Sequence, residues 1–236
     1  KSSVRGDRKI RLFYRPADSL QASQHAPRVF SLAFDALDYF EGYTGLPYPF
    51  QKYDFVAIPS FPYSGMEHPG ATLYRASKLF PGKSPTIRQK LARADLTAHE
   101  IAHNWFGNAL TISWFDEVWV KELFATFLAD KFVQERFRPA HHGLAFMFKH
   151  HPQAYSLDRT QGAMPVARNL PNLNQAGQLY DAIIYHKAPI AMAQLEKHVG
   201  TDTLQMAIRR FAKQHFYGNI HWQDFILTLD SLTAYN

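Results

Sequence analysis

The chain has 236 residues, 46% of them hydrophobic, which is enough to bury a core of domain size. Its net charge of +6 is spread over scattered Lys and Arg, with no basic run longer than a pair such as Arg8-Lys9 or Arg209-Arg210, and this argues against a nucleic-acid footprint. With no cysteine there is neither a disulfide nor thiolate chemistry, a composition compatible with the cytoplasm or a bacterial periplasm, and no apolar run reaches the roughly 18 residues of a membrane helix.

In chain order, Ile10-Arg11-Leu12-Phe13-Tyr14 alternates and stops at Arg15-Pro16, predicting a short strand. Arg5-Gly6-Asp7 spells an integrin-binding tripeptide, but so short a motif reads first as a surface turn. Val29, Phe30, Ala33, Phe34, Leu37 and Phe40 recur at helical spacing, predicting a packing helix from Pro27, in its first turn, to about Tyr43, ended by Gly42 and Gly45. Pro47-Tyr48-Pro49-Phe50 is an extended connector. Tyr53 to Pro59 and Thr72 to Arg75 are strand candidates. Between them lies a Gly/Pro-flanked loop containing Gly65-Met66-Glu67, in which Glu67 alone reads as a surface acid.

The second half is helical. Thr86 is placed to cap a helix through Ile101 and Ala102 to Gly107-Asn108, and a second helix spans Trp119 to about Phe137, broken by Arg138-Pro139. The pairs His141-His142 and His150-His151 lack metal-ligand spacing and read as exposed or capping residues. Residues 156–178 form a long polar loop. Three helices close the chain: about Ala176 to Val199, one capped by Thr201 or Asp202, and about His221 to Leu232. Strands first and helices after define an α+β protein: a small mixed sheet in the β-rich part, about residues 1–80, then a mostly helical part, about 81–236. The chain lacks a starting Met and begins almost within a strand pattern, as expected of a piece of a longer protein.

The chemistry concentrates in His99-Glu100-Ile101-Ala102-His103, eighteen further residues, and Glu122. Histidines four apart share one helix face, where two imidazoles can grip one metal ion. Zinc in a catalytic site takes a third protein ligand and keeps a position for water, so Glu122 is the natural third ligand and Glu100 the candidate general base. HExxH by itself also occurs in ordinary amphipathic helices. Here it falls in a predicted helix followed by a second helix that carries a carboxylate. Thr126 and Asp95 each stand four residues from a candidate ligand, where either could orient it.

His99 to Asn108 together with Trp119-Val120-Lys121-Glu122 resembles the zinc signature of the aminopeptidase N family of gluzincin metallopeptidases. Ser64-Gly65-Met66-Glu67-His68 resembles that family's exopeptidase motif, and Tyr185-His186-Lys187-Ala188 its Tyr-x-Lys-Gly motif. The resemblance runs from about Ala26 to Leu229. It implies a thermolysin-like catalytic domain that holds one zinc ion on His99, His103 and Glu122, with Glu100 as base. It also implies peptide substrates with a free N-terminus, whose amine binds Glu67, while Gly65 and Met66 offer backbone groups to the extended peptide and Tyr185 stabilises the oxyanion. Lys121 and Leu123 stand where many members have Asn and Gly, Ser64 and His68 replace Gly and Asn, and Ala188 replaces Gly. Family members usually add an N-terminal β domain and a C-terminal helical domain, so one alternative to an active zinc aminopeptidase is a catalytic domain that binds zinc but is weakly active or inactive on its own. An epoxide hydrolase on the same scaffold is the other alternative.

Overall fold

A computed structural model describes residues 1–137 and 142–233. The chain opens with a hairpin, β1 (Ser2–Arg5) and β2 (Arg8–Phe13), turning on Gly6 and Asp7. Gly6 has φ +58, the left-handed value a two-residue hairpin loop needs at its first position, so the Arg-Gly-Asp tripeptide is this tight turn. A helix, α1 (Ser19–Thr44), then crosses to β3 (Tyr53–Ile58), followed by β4 (Gly65–Met66) and β5 (Ala71–Arg75). The sheet order is β1-β2-β3-β5-β4, with β2, β3 and β5 parallel and both outer strands antiparallel.

α1 begins eight residues before the expected Pro27, so the β-rich part holds the longest helix among the described residues. Ala22, His25 and Ala26 are buried and extend the apolar stripe upstream. Pro27 itself is exposed, so the ladder bond it cannot donate is missing on the solvent side of the helix. The helix ends on left-handed Gly45, φ +70.

After a single turn, α2 (Ala76–Leu79), come the two helices of the second half's core, α3 (Ile87–Ala102) and α4 (Val118–Arg136), joined through the two-residue β6 (Thr111–Ile112). Thr86 and Gln89 close a capping box at the start of α3, as the sequence suggests. α5 (His142–Asp158) is a helix that periodicity did not reveal. It contains Pro152 and leaves Leu144, Phe148 and Tyr155 exposed, which blurs its apolar face. Arg138, Pro139 and His141, together with the side chain of His142, lie outside the described residues.

The long loop is shorter than expected, 159–172. The predicted helix from Ala176 is instead a 3₁₀ stretch, Leu173–Leu179, followed by a π-helical turn, Ile183–Lys187. Only then does α6 (Ala188–Val199) begin. α7 (Thr201–Gln214), β7 (Asn219–Ile220) and α8 (Trp222–Asp230) finish the chain. Neither Thr201 nor Asp202 caps α7, because Gly200 occupies the cap position without a side-chain bond. β7 pairs with β6 in a second, two-stranded sheet inside the helical half. The α+β class therefore holds, with mixed sheet first and helices after. Phe40, Trp105, Phe124, Phe132, Phe211 and Phe225 build one continuous core between α1, α3, α4, α7 and α8. No helix among the described residues is long and apolar enough to cross a membrane.

Candidate metal centre

α3 ends at Ala102, five residues before the predicted Gly107 stop, and His103 is its C-terminal cap with φ −58 and ψ −21. Those angles are still right-handed helical, so His99 and His103 keep the shared face that four-residue spacing gives. Their Nε2 atoms are 3.0 Å apart. Glu122, in the first turns of α4, brings Oε2 to 3.4 Å from each of them. A tetrahedral zinc ion with bonds of about 2.0–2.1 Å separates neighbouring ligand atoms by about 3.4 Å, so the triangle is of the size such an ion needs. Glu122 Oε2 is buried without a hydrogen-bond partner, an expensive state for a carboxylate oxygen unless a cation takes it. These three are the one group of metal-ligating side chains converging among the described residues.

Partners behind the imidazoles fix which nitrogen faces the triangle. His103 Nδ1 donates to the Phe106 carbonyl at 2.9 Å, which leaves Nε2 toward the centre. Gly107 allows that turn: its φ is +138, and a Cβ there would sit 3.0 Å from His103 Nδ1. His99 Nδ1 meets Thr126 Oγ1 at 3.3 Å, so Thr126 has the orienting position that its spacing suggested. Asp95 does not; its carboxylate goes to Lys149 at 2.7 Å.

Glu100 faces Gly65 of the sheet edge and is 4% exposed. A Cβ on residue 65 would lie 2.1 Å from Glu100 Oε1, so only glycine lets the carboxyl lie against this strand. Burial, with Glu67 and Glu122 nearby, pushes its pKa from the ordinary 4.5 up to about 8, against the opposing pull of His99. Gly65→Ala is expected to displace the carboxyl or the strand and to destabilise by about 1–3 kcal/mol, read as a lowered Tm. An unchanged Tm would show that the approach is not tight.

Glu67 follows β4. Asn108 Nδ2 donates to its backbone carbonyl at 2.6 Å. Its carboxylate accepts from Lys121 at 2.5 Å, and the same ammonium lies 3.2 Å from Glu122 Oε1. Burial raises the Glu67 pKa, but His103 and Lys121 outweigh it and hold the group at about 2. Burial likewise works against ionised Glu122, and the neighbouring imidazoles and Lys121 keep it well below the carboxylate range. Met66 pairs with Leu73 on the edge strand beside Glu67.

Tyr185 comes from the opposite side, on the π-helical turn, with its ring centroid 6.3 Å from that of His99. Burial and then Glu122 raise its pKa, so the phenol stays protonated and able to donate. The turn is braced from behind. His150 is fully buried, not exposed or capping, and bonds Asp130 through Nε2 at 2.9 Å and His186 through Nδ1 at 3.1 Å. Lys187 ties Asp158 at 2.6 Å and the Met164 carbonyl at 3.0 Å. Two further residues belong to the site beyond those the sequence singled out. Lys121 registers there only as a departure from a motif. Tyr180, which caps the 3₁₀ stretch before the π turn, lies in the field of Lys121, Glu122 and Glu67. A lysine next to a ligand carries no periodic signal, and a tyrosine between two short turns carries none either.

Two His nitrogens and a carboxylate oxygen form a group that could hold a metal ion, with a buried acid and a protonated phenol nearby. The Peptidase family M1 domain matches residues 29–236, and this chain belongs to that family, the aminopeptidase N family its motifs resemble. It is 30% identical over 190 residues to leucyl aminopeptidase of Saccharolobus solfataricus, covering 80% of this chain and 24% of the relative. It is 29% identical over 213 residues to aminopeptidase M1-A of Oryza sativa subsp. japonica, 89% of this chain and 24% of the relative. Against puromycin-sensitive aminopeptidase of Caenorhabditis elegans it is 31% identical over 207 residues, 87% and 22%. The chain thus spans about a quarter of the length of these relatives.

Proposed function

We propose that this chain carries the catalytic site of a zinc aminopeptidase that hydrolyses the N-terminal bond of peptides. The observation that carries this reading is the buried triangle of His99, His103 and Glu122, with an unpartnered Glu122 oxygen, beside a glutamate pressed against a glycine of the sheet edge. Family membership supports it, as do relatives named as aminopeptidases. In this reading residues 1–236 form one thermolysin-like catalytic unit.

His99, His103 and Glu122 hold the ion. Zinc, when bound, polarises the scissile carbonyl and lowers the pKa of its water toward neutrality. Glu100 accepts the proton of the attacking water and returns it to the departing amine, a role suited to a carboxyl whose surroundings already favour proton uptake. Tyr185 donates its hydroxyl proton in a hydrogen bond to the developing oxyanion. β4 is an outer strand of the sheet, and its free edge can receive an extended peptide through Gly65 and Met66. Glu67, at the end of that edge, accepts the peptide's N-terminal ammonium and leaves no room for a longer chain.

Two experiments test this reading. Leucine arylamide should be hydrolysed and its N-acetylated form should not; equal turnover of both would exclude an amine-anchored exopeptidase. Tyr185→Phe should lower kcat by about 10²–10³ with KM little changed, and an unchanged kcat would remove the phenol from the oxyanion site.

A further inference from the structure

Lys121 is absent from the roles just described, yet it occupies the amine end of the site. Its ammonium donates to Glu67 Oε1 and lies against Glu122 Oε1. Both members of the Lys121–Glu67 pair are largely buried, with side chains 14% and 16% exposed. Solvent therefore screens the pair poorly, and the lysine tail has little room to swing away. Metal binding commits Glu122 to the ion and leaves Glu67 as the acid that Lys121 answers. Their charges then sum to zero where a neutral residue 121 would leave one full negative charge.

We propose that Lys121 is a specificity-determining residue: it is a resident counter-ion for Glu67, so that an incoming N-terminal ammonium binds only through the carboxylate oxygen left over. This deepens the proposed aminopeptidase reading and rests on Glu67 as the amine anchor. An ammonium within hydrogen-bond reach of Glu67 comes within a few ångströms of the lysine charge, and the two repel in a poorly screened site. The consequence is a site that distinguishes weakly between a ligand that carries the α-ammonium and the same ligand without it. The substrates it favours are those that bind through the rest of the N-terminal residue and the peptide backbone.

The test is equilibrium binding, independent of turnover. Leucine hydroxamate and its des-amino counterpart, 4-methylpentanohydroxamate, are titrated calorimetrically into the zinc-loaded protein. In Lys121→Met and Lys121→Gln the preference for the amine-bearing ligand should rise about tenfold. Lys121→Arg, which keeps the charge, should behave as the unmodified protein. The rise should vanish when Glu67→Gln is combined with either neutral variant. If the preference falls or stays constant in both neutral variants, Lys121 does not compete for Glu67 and the proposal is overturned. If Glu67→Gln alone leaves the preference unchanged, the amine anchor itself is wrong, and the proposal goes with it. Turnover lost with the binding pattern intact would count against the catalytic reading only.

Discussion

Glu100→Gln is expected to bind zinc as the unmodified protein does and to lose about 10²–10⁴-fold in kcat, the contribution of a well-placed general base. The substitution keeps the shape that fits against Gly65 and removes only the ability to shuttle a proton. Retained turnover would end the assignment of Glu100 as base. The same variant has a second, opposite signature in the metal-free protein. Burial holds the folded pKa of Glu100 near 8 against an ordinary 4.5. A carboxyl raised in this way binds more protons folded than unfolded, so its stability term is intact below about 4.5 and is lost as pH rises toward 8. Metal-free Glu100→Gln escapes that loss. Its Tm should therefore exceed that of the metal-free parent by a margin that grows between pH 5 and pH 8. Glu67 and Glu122 shift the other way, each adding stability above the ordinary carboxylate range; both repel ionised Glu100, so its replacement by Gln relieves them as well, which adds to the difference in the same direction.

Removal of the ion is expected to be the larger perturbation of stability. Three ligands converge from two helices, and without a cation Glu122 Oε2 stays buried and unpartnered. Zinc at about a thousandfold excess over its Kd would stabilise the fold by about 4 kcal/mol, which for a domain of this size is about 8–16 °C in Tm. Chelation should produce a fall of that size and re-addition of zinc should reverse it. Glu122→Ala should show the low Tm whether or not zinc is present. A chelator-insensitive Tm would mean that the triangle is held together by packing and by the His–Glu contacts alone. Acid should mimic the chelator, because metal binding requires the His103 Nε2 lone pair, and the Glu122 and Glu67 carboxylates favour a proton there.

The centre was legible because its spacing is set by helix geometry. His99 and His103 had to share a face, and Glu122 had to come from the next helix. Thr86, a residue suited to the cap position, announced the start of α3. The boundaries that went wrong share a cause: local signals were overruled by packing. Pro27 looked like a beginning because proline suits a first turn, but buried Ala22, His25 and Ala26 carry α1 past it. Ala176 to Lys187 looked α-helical because its apolar residues are suitably spaced. It forms 3₁₀ and π turns instead; Asp181 accepts from the Ile183 N–H at the start of the π turn, Lys187 is tied to Asp158 at its end, and the turn presents Tyr185. His150 reads as a surface histidine in a sequence, since its partners Asp130 and His186 are 20 and 36 residues away. Lys121 was visible only as an odd residue in a familiar motif. Its ion pair with Glu67 joins the sheet edge to α4, a contact that no periodicity encodes.

One zinc ion, held by His99, His103 and Glu122, is proposed to make this chain hydrolyse N-terminal peptide bonds. The most direct measurement is leucine-arylamide hydrolysis while the metal-free protein is titrated with zinc. Turnover should rise linearly and stop rising at one equivalent of zinc per chain. Zinc binding at one equivalent with no hydrolysis, or hydrolysis that does not depend on added zinc, would contradict the account.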